Sequence, residues 1–77
     1  MITIFYFAGL REATGTDREE ADLAGKTIQE LSAWVNSKYP HLSLDAVRVA
    51  INEEYALSED VLQDGDTAAL IPPVSGG

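Results

Sequence analysis

The residues with the clearest chemical potential are Gly76 and Gly77, which follow Pro72-Pro73 at the end of the sequence. Adjacent prolines hold the backbone extended, and glycine has no Cβ to keep the backbone away from a nucleotide. The reactive group is the α-carboxylate of Gly77, a poor electrophile that reacts with sulfur or nitrogen nucleophiles once it has become an acyl-adenylate. We therefore predict that Gly77 is the reacting residue at the tip of a slim threading arm made of Pro72, Pro73, Val74, Ser75 and Gly76.

Composition leaves the chain little catalytic chemistry of its own. Among 77 residues there is no cysteine and one histidine, His41. This excludes a thiol nucleophile, a disulfide and a cysteine-ligated metal, and it argues against a histidine-based site. The sequence has no glycine-rich phosphate-binding loop either. We expect no active site, metal or cofactor in the chain, so an enzyme acting in trans must supply ATP and Mg²⁺ to activate Gly77.

The charge balance restricts the class of partner. Five Lys and Arg against 13 Asp and Glu give a net charge of −8, which argues against nucleic acid and anionic membranes because their phosphates would be repelled. Hydrophobic residues make up 45% of the chain, too many for a disordered protein, and the apolar runs are too short to cross a bilayer. With no basic leader segment, the sequence predicts one small cytoplasmic domain over residues 1–77, whose partners carry basic surfaces.

The elements that must position the arm begin with a β-branched and aromatic run. Residues 1–8, MITIFYFA, predict a strand. Strand alternation points one set of side chains toward the core, namely Ile2, Ile4, Tyr6 and Ala8. The other set points outward, namely Met1, Thr3, Phe5 and Phe7. Gly9 ends the run, residues 10–15 predict a helical turn closed by Gly15, and the acidic residues 17–23 predict an edge strand.

One longer helix is clearly indicated. Thr27 and Glu30 have the spacing of a capping box, in which two side chains satisfy free N–H groups at a helix start. Apolar residues then recur at helical intervals, Ile28, Leu31, Val35 and Tyr39, with Trp34 beside them. Pro40 disfavours helical geometry at Tyr39 and so ends the helix. We expect this helix to cover one face of a sheet.

The second half of the chain predicts strands again. Residues 46–52 alternate, with Val47, Val49 and Ile51 on one side and Arg48, Ala50 and Asn52 on the other. Residues 52–54 predict a turn, residues 55–57 a short returning strand, Asp64-Gly65-Asp66 a second turn, and residues 67–71 the final strand. This order predicts an α+β fold of the β-grasp type. One main helix packs on one face of a mixed sheet of four to five strands, with the first and last strands parallel.

Two segments resemble one known family. Residues 7–15, FAGLREATG, are similar to the F-A-x-x-R-E-x-x-G pattern of molybdopterin synthase small subunits. Residues 62–77 resemble the same family's L-x-D-G-D and P-P-V-[ST]-G-G patterns. The two matches lie at opposite ends of the sequence, and length and element order agree between them, so the resemblance covers nearly the whole chain.

The resemblance implies a ubiquitin-like sulfur carrier. In that family an E1-like adenylyltransferase and sulfurtransferase activates the terminal glycine with ATP and Mg²⁺ and converts it to a thiocarboxylate. The large synthase subunit then uses the sulfur to build the dithiolene of molybdopterin from cyclic pyranopterin monophosphate, in a complex of two large and two small subunits. Carried onto this sequence, Gly77 is the sulfur carrier of a non-catalytic subunit, and Phe7, Tyr55 and Ile71 contact the large subunit.

The outward face of the predicted sheet agrees with these contacts. A single helix covers only one face, and the outward side chains of the first and last strands are too apolar for water, namely Phe5, Phe7, Ala69 and Ile71. We expect them to form an exposed apolar patch that meets another protein. The alternative is that loops cover this face.

Three other functions stay open. A related carrier could supply sulfur for thiazole or thionucleoside synthesis, although Pro72-Pro73 matches the molybdopterin group better. A ubiquitin-like modifier would use the same carboxylate to form isopeptide bonds with lysines. A structural binding module would have an inert arm, so that deleting Gly77 would leave its activity unchanged.

Overall fold

A computed structural model of the chain describes residues 1–42, 44 and 46–73. Its elements, in chain order, are β1 (Ile2–Tyr6), α1 (Gly9–Thr14), β2 (Arg18–Ala21), α2 (Ile28–Lys38), β3 (Arg48–Ile51), β4 (Glu54–Tyr55) and β5 (Thr67–Ile71). They form one five-stranded sheet with the strand order β2-β1-β5-β3-β4. β1 and β5 pair in parallel, and the other pairs are antiparallel. The predicted α+β fold, with a mixed sheet and parallel terminal strands, is confirmed.

The core lies between α2 and one face of the sheet. In β1, Ile2, Ile4 and Tyr6 are buried, as strand alternation predicts. Ala68 and Leu70 of β5 are buried beside them, and α2 contributes Ile28, Leu31 and Val35. Each large apolar side chain buried here stabilises the fold by roughly 1.5–3 kcal/mol. Because α2 packs on this inner face, the opposite face of the sheet is left for other contacts.

Local sequence signals fix both ends of α2. The Thr27 hydroxyl accepts a hydrogen bond from the Glu30 N–H at 3.2 Å, and the Glu30 carboxylate accepts one from the Thr27 N–H at 3.0 Å. These two bonds confirm the predicted capping box. At the other end, the helix stops at Lys38, and Tyr39 caps it one residue before Pro40, as the proline predicts.

The first strand is shorter than its sequence pattern predicts. Strand alternation places Ala8 in the core, but Ala8 is exposed, so this prediction is wrong. The chain leaves the sheet after Tyr6 and turns into α1, and alternation applies only while the backbone stays extended. The turn places Leu10, the buried residue of α1, against the core instead.

The returning strand is also displaced from its predicted position. It covers Glu54–Tyr55 rather than residues 55–57. Asn52 and Glu53 alone form the turn, with φ values of 51° and 72°, and this two-residue connection brings the first residue of β4 opposite Ile51. Two positive φ angles in succession are the mark of the tight hairpin turns that match strand twist.

Replacing Ala8 by glycine should stabilise the protein. Ala8 has φ 51° and ψ −126°, in a turn closed by a 3.0 Å hydrogen bond from the Leu10 N–H to the Phe7 carbonyl. Such a conformation is strained for any residue with a Cβ, and glycine relieves this strain. Glycine also makes the unfolded chain more flexible, which offsets part of the gain. The net effect of Ala8→Gly should be an increase of about 1 kcal/mol in the free energy of unfolding. The matched control, Ala13→Gly in α1, should lower it by about 1 kcal/mol. Denaturant titration measures both, and destabilisation by Ala8→Gly would contradict the expectation.

The edge strand β2 is tied to the end of α2 through Glu19. The Glu19 carboxylate accepts hydrogen bonds from the Tyr6 hydroxyl at 2.6 Å and the Tyr39 hydroxyl at 2.9 Å, and it forms an ion pair with Lys38. Burial alone would raise the pKa of Glu19, but the hydrogen bonds from Lys38, Tyr6 and Tyr39 outweigh burial and hold the pKa below its ordinary value. The folded state therefore favours the ionised carboxylate.

Acid should weaken the fold through this carboxylate. A pKa below the ordinary 4.5 in the folded state gives stabilisation that is present above pH 4.5 and is lost as the pH falls through the lowered value. Glu19→Gln should therefore cost roughly 1–3 kcal/mol of unfolding free energy at neutral pH, and it should flatten the loss of stability below about pH 5. The control Glu20→Gln changes an exposed neighbour and should do neither. Melting curves recorded across this pH range measure the stability of both variants. The same stability and the same pH dependence in the two variants would refute the role of Glu19.

Candidate protein-docking site

The face of the sheet opposite α2 carries an apolar row that crosses four strands. The strand registers place Phe5 beside Ala69, Ala69 beside Ala50, and Ala50 beside Tyr55. Side chains directly opposite each other in a sheet share a face and touch. Ala50 is buried, but Phe5 and Ala69 are partly exposed and Tyr55 is 65% exposed, so the described residues leave the rest of the row open.

This row lines an open hollow of about 460 Å³. Phe7 and Ile71 border it where β1 and β5 end, and Thr67 and Glu53 border it where β5 begins. Phe7 is 49% exposed, so an aromatic ring stands in water on each side of the hollow. An apolar depression with polar residues at its border is typical of a protein-binding surface.

The structure brings the three predicted contact residues together, because Phe7, Tyr55 and Ile71 all line the hollow. Their contact with a partner stays a prediction. Sequence reasoning missed Ala50, Glu53 and Thr67 as members of the same surface. Strand alternation already turns Ala50 away from the core, but its position beside Tyr55 depends on the hairpin register, which follows only from the two-residue turn.

A cation flanks the hollow at Tyr55. The guanidinium carbon of Arg48 lies 5.2 Å from the centre of the Tyr55 ring, a distance at which a cation and an aromatic ring attract each other. Arg48 is also the register partner of Ile71, the last residue of β5. Arg48 and Tyr55 both line a second hollow of about 410 Å³ beside α2, and Tyr55 is the residue that lines both hollows.

The predicted arm leaves the sheet beside the first hollow. β5 ends at Ile71, and the half-buried Pro72 and the exposed Pro73 follow it without regular secondary structure. The end of pairing at the two prolines agrees with their missing N–H donors. The remaining arm residues, Val74, Ser75, Gly76 and Gly77, lie outside the described residues, so their assignment stays a prediction. Ile71 therefore belongs both to the hollow and to the base of the arm.

The described residues contain neither a metal-ligating cluster nor a membrane-spanning helix. Over residues 1–42, 44 and 46–73, no group of three or more His, Cys, Asp or Glu side chains could hold a metal ion. In the same ranges no helix has the length and apolar character needed to cross a membrane. His41 is exposed, and its Nε2 lies 3.1 Å from the carbonyl oxygen of Ala13.

Comparison with known proteins identifies the family. A model of the ThiS family matches residues 4–77. The chain belongs to the ThiS family. This ThiS-family chain is 37% identical to the molybdopterin synthase sulfur carrier subunit of Chlamydomonas reinhardtii, over 99% of this chain and 98% of the relative. It is 38% identical to the subunit of the same name from Mycobacterium tuberculosis, over 99% of this chain and 96% of the relative. The resemblance drawn from the two sequence motifs is confirmed.

Solved structures give the same fold. The putative molybdopterin converting factor subunit 1 of Pyrococcus furiosus superposes with a TM-score of 0.84 at 27% identity, covering 95% of this ThiS-family chain and 97% of that protein. The small archaeal modifier protein 1 of Methanosarcina acetivorans also gives a TM-score of 0.84 at 27% identity, covering 99% and 95%. These neighbours confirm the predicted β-grasp fold.

Proposed function

We propose that this protein is the sulfur carrier subunit of molybdopterin synthase. The observation that carries the proposal is the end-to-end match, at 37–38% identity, to relatives that bear this name. The match spans 99% of the chain and therefore includes both motifs that first indicated the family. The open apolar hollow supports the proposal because a subunit needs a surface on which its partner subunit docks.

The carrier chemistry takes place at Gly77 and needs groups from other proteins. The Gly77 carboxylate oxygen attacks the α-phosphorus of ATP and expels pyrophosphate, and the resulting acyl-adenylate is an electrophile. The terminal sulfur of a donor persulfide then attacks the acyl carbon and AMP leaves, which gives an acyl disulfide. A thiol of the activating system attacks the donor's sulfur in that disulfide, forms a new disulfide with it, and releases the terminus as a thiocarboxylate. An E1-like activating enzyme supplies ATP, Mg²⁺ and the sulfur donor. The thiocarboxylate is ionised at neutral pH and is a soft nucleophile, so it transfers sulfur without any cysteine in this chain.

The folded domain serves as the docking body in this proposal. The large synthase subunit covers the hollow lined by Phe7, Tyr55 and Ile71, and the arm that begins at Pro72 enters its active site. Six residues span at most about 20 Å when extended, which sets how deep that active site lies. Following the family pattern, two large subunits are flanked by two copies of this chain. The acid–base residues for dithiolene formation belong to the large subunit.

Reconstitution tests the proposal directly. Purified chain with a free C-terminus is combined with the activating enzyme, ATP, Mg²⁺, a sulfur donor, the large subunit and cyclic pyranopterin monophosphate. We expect molybdopterin to form only when all components are present. Omission of this chain gives the background rate. A complete mixture that does no better than this background would overturn the proposal.

A protein modifier is the second candidate, and a specific observation favours it. The small archaeal modifier protein 1 of Methanosarcina acetivorans matches the fold as well as the converting-factor subunit does, at the same identity. A modifier would pass the activated carboxylate of Gly77 to a lysine amine instead of to sulfur chemistry. An N-terminally tagged chain should then produce a ladder of conjugates in cells on denaturing gels. A single unconjugated band, with active reconstitution, would exclude this second function.

A further inference from the structure

We infer that Arg48, held against Tyr55, recognises a carboxylate on the docking partner and so determines which partner fits the hollow. The inference rests on the proposed function, in which the large synthase subunit covers this surface. It concerns a charged contact at the border of the hollow, whereas the proposed function depends only on the apolar contact and the arm. The two can therefore fail separately.

The geometry of Arg48 suits recognition of a planar anion. The guanidinium carbon of Arg48 lies 5.2 Å from the centre of the Tyr55 ring, a cation–π contact that holds the cation beside the ring, and Arg48 stays exposed. An exposed guanidinium keeps N–H donors available to a partner, and two of them match the two oxygens of a carboxylate. Tyr55 therefore offers both an apolar contact and a support that presents the cation.

Docking creates the need for a partner carboxylate. When a protein covers the hollow, Arg48 at its border loses water, and a buried charge without compensation is strongly unfavourable. Among the residues that the structure describes, the ion pairs are Lys38 with Glu19 and the N-terminal amine of Met1 with Asp64. Neither pair involves Arg48, and a carboxylate on the covering surface would supply the compensating charge.

The charge pattern makes this contact selective. The chain as a whole has a net charge of −8 and therefore attracts basic surfaces. A partner surface that is basic everywhere would bring a positive charge against Arg48 and be repelled there. A partner that carries one carboxylate opposite Arg48, within an otherwise basic surface, avoids that repulsion in a single orientation. Because Arg48 is also the register partner of Ile71, this orientation places the partner at the base of the arm. Charge pairs of this kind repel partners that carry a like charge at the same place, and they fix the orientation in which the correct partner binds.

Charge reversal with a matched control tests the inference. The probe is the purified large subunit of molybdopterin synthase from the same organism, with binding rates measured by interferometry. Arg48→Glu should weaken binding at least about 30-fold, mainly through faster dissociation, as for a desolvated pair. Arg48→Met, which keeps the apolar stem, should lose about tenfold. Lys26→Glu makes the same change of net charge at an exposed site just before α2, and it should alter only the association rate, by a few-fold.

A charge swap identifies the acceptor. Each Asp and Glu on the docking surface of the large subunit is changed to Arg, and one of these variants should restore binding of Arg48→Glu by at least about tenfold. Equal dissociation rates for Arg48→Glu and Lys26→Glu, or no restoring swap, would overturn the inference while leaving the proposed function standing. If the wild-type chain fails to bind the large subunit at all, the proposed function and this inference both fall.

Discussion

A chain that lacks Gly77 should bind the large subunit with unchanged affinity and yet transfer no measurable sulfur. Removing one residue withdraws the terminal carboxylate by about 3.5 Å. A misplacement of 1 Å at a reacting centre can cost roughly 100-fold in rate, so we expect a loss at least that large in the synthase assay. Binding should persist because Phe7, Tyr55 and Ile71 in the hollow are untouched.

The control for this deletion keeps the length of the arm. Ser75→Ala removes a hydroxyl but leaves the carboxylate at the same distance from Ile71, and it should retain most of the activity. A C-terminal tag, which converts the Gly77 carboxylate to an amide, should behave like the deletion. Normal sulfur transfer by the chain without Gly77 would show that the arm is inert, as a structural binding module would require.

Replacing both aromatic residues of the hollow should have the second largest effect. Phe7→Ser and Tyr55→Ser each remove an exposed ring from the surface where we place the large subunit. Aromatic residues at the centre of an interface contribute about 2 kcal/mol or more apiece, so each single change should weaken binding by roughly 30-fold and the pair by several hundredfold. Titration calorimetry with the large subunit measures this loss.

Val61→Ser is the matched control for the aromatic replacements. Val61 is 54% exposed, close to the 49% of Phe7, but it pairs with Thr27 at the start of α2 and so lies away from the hollow. It should leave affinity within about twofold of wild type, since contacts outside an interface do not contribute. An equal loss in Val61→Ser and the Phe7 and Tyr55 variants would mean that general surface apolarity, and not the hollow, drives association.

The sequence predicts those parts of the fold that depend on neighbours along the chain. The capping box of Thr27 and Glu30 is a three-residue pattern, and the structure contains both of its hydrogen bonds. The final strand over residues 67–71 and the turn before it also follow from local residue types. The parallel pairing of the first and last strands follows from the handedness of the connection between them.

The parts that escape prediction depend on contacts between distant residues. An acidic run predicts an edge strand, but nothing in it indicates that Glu19 turns inward to meet Lys38, Tyr6 and Tyr39 from other elements. Likewise, Arg48 and Tyr55 look unrelated until the tight turn at Asn52 and Glu53 sets the register that brings them together. The sequence therefore predicts only part of the docking surface. Its aromatic residues can be predicted, but its charged border cannot.

The mass of the intact protein after activation tests the central claim most directly. The untagged chain is incubated with the E1-like enzyme, ATP, Mg²⁺ and a sulfur donor, beside a carrier that the same enzyme preparation is known to convert. The proposed function predicts a product in which one oxygen has been replaced by sulfur, located by fragmentation at Gly77. An unchanged mass in the presence of a converted control carrier would contradict it.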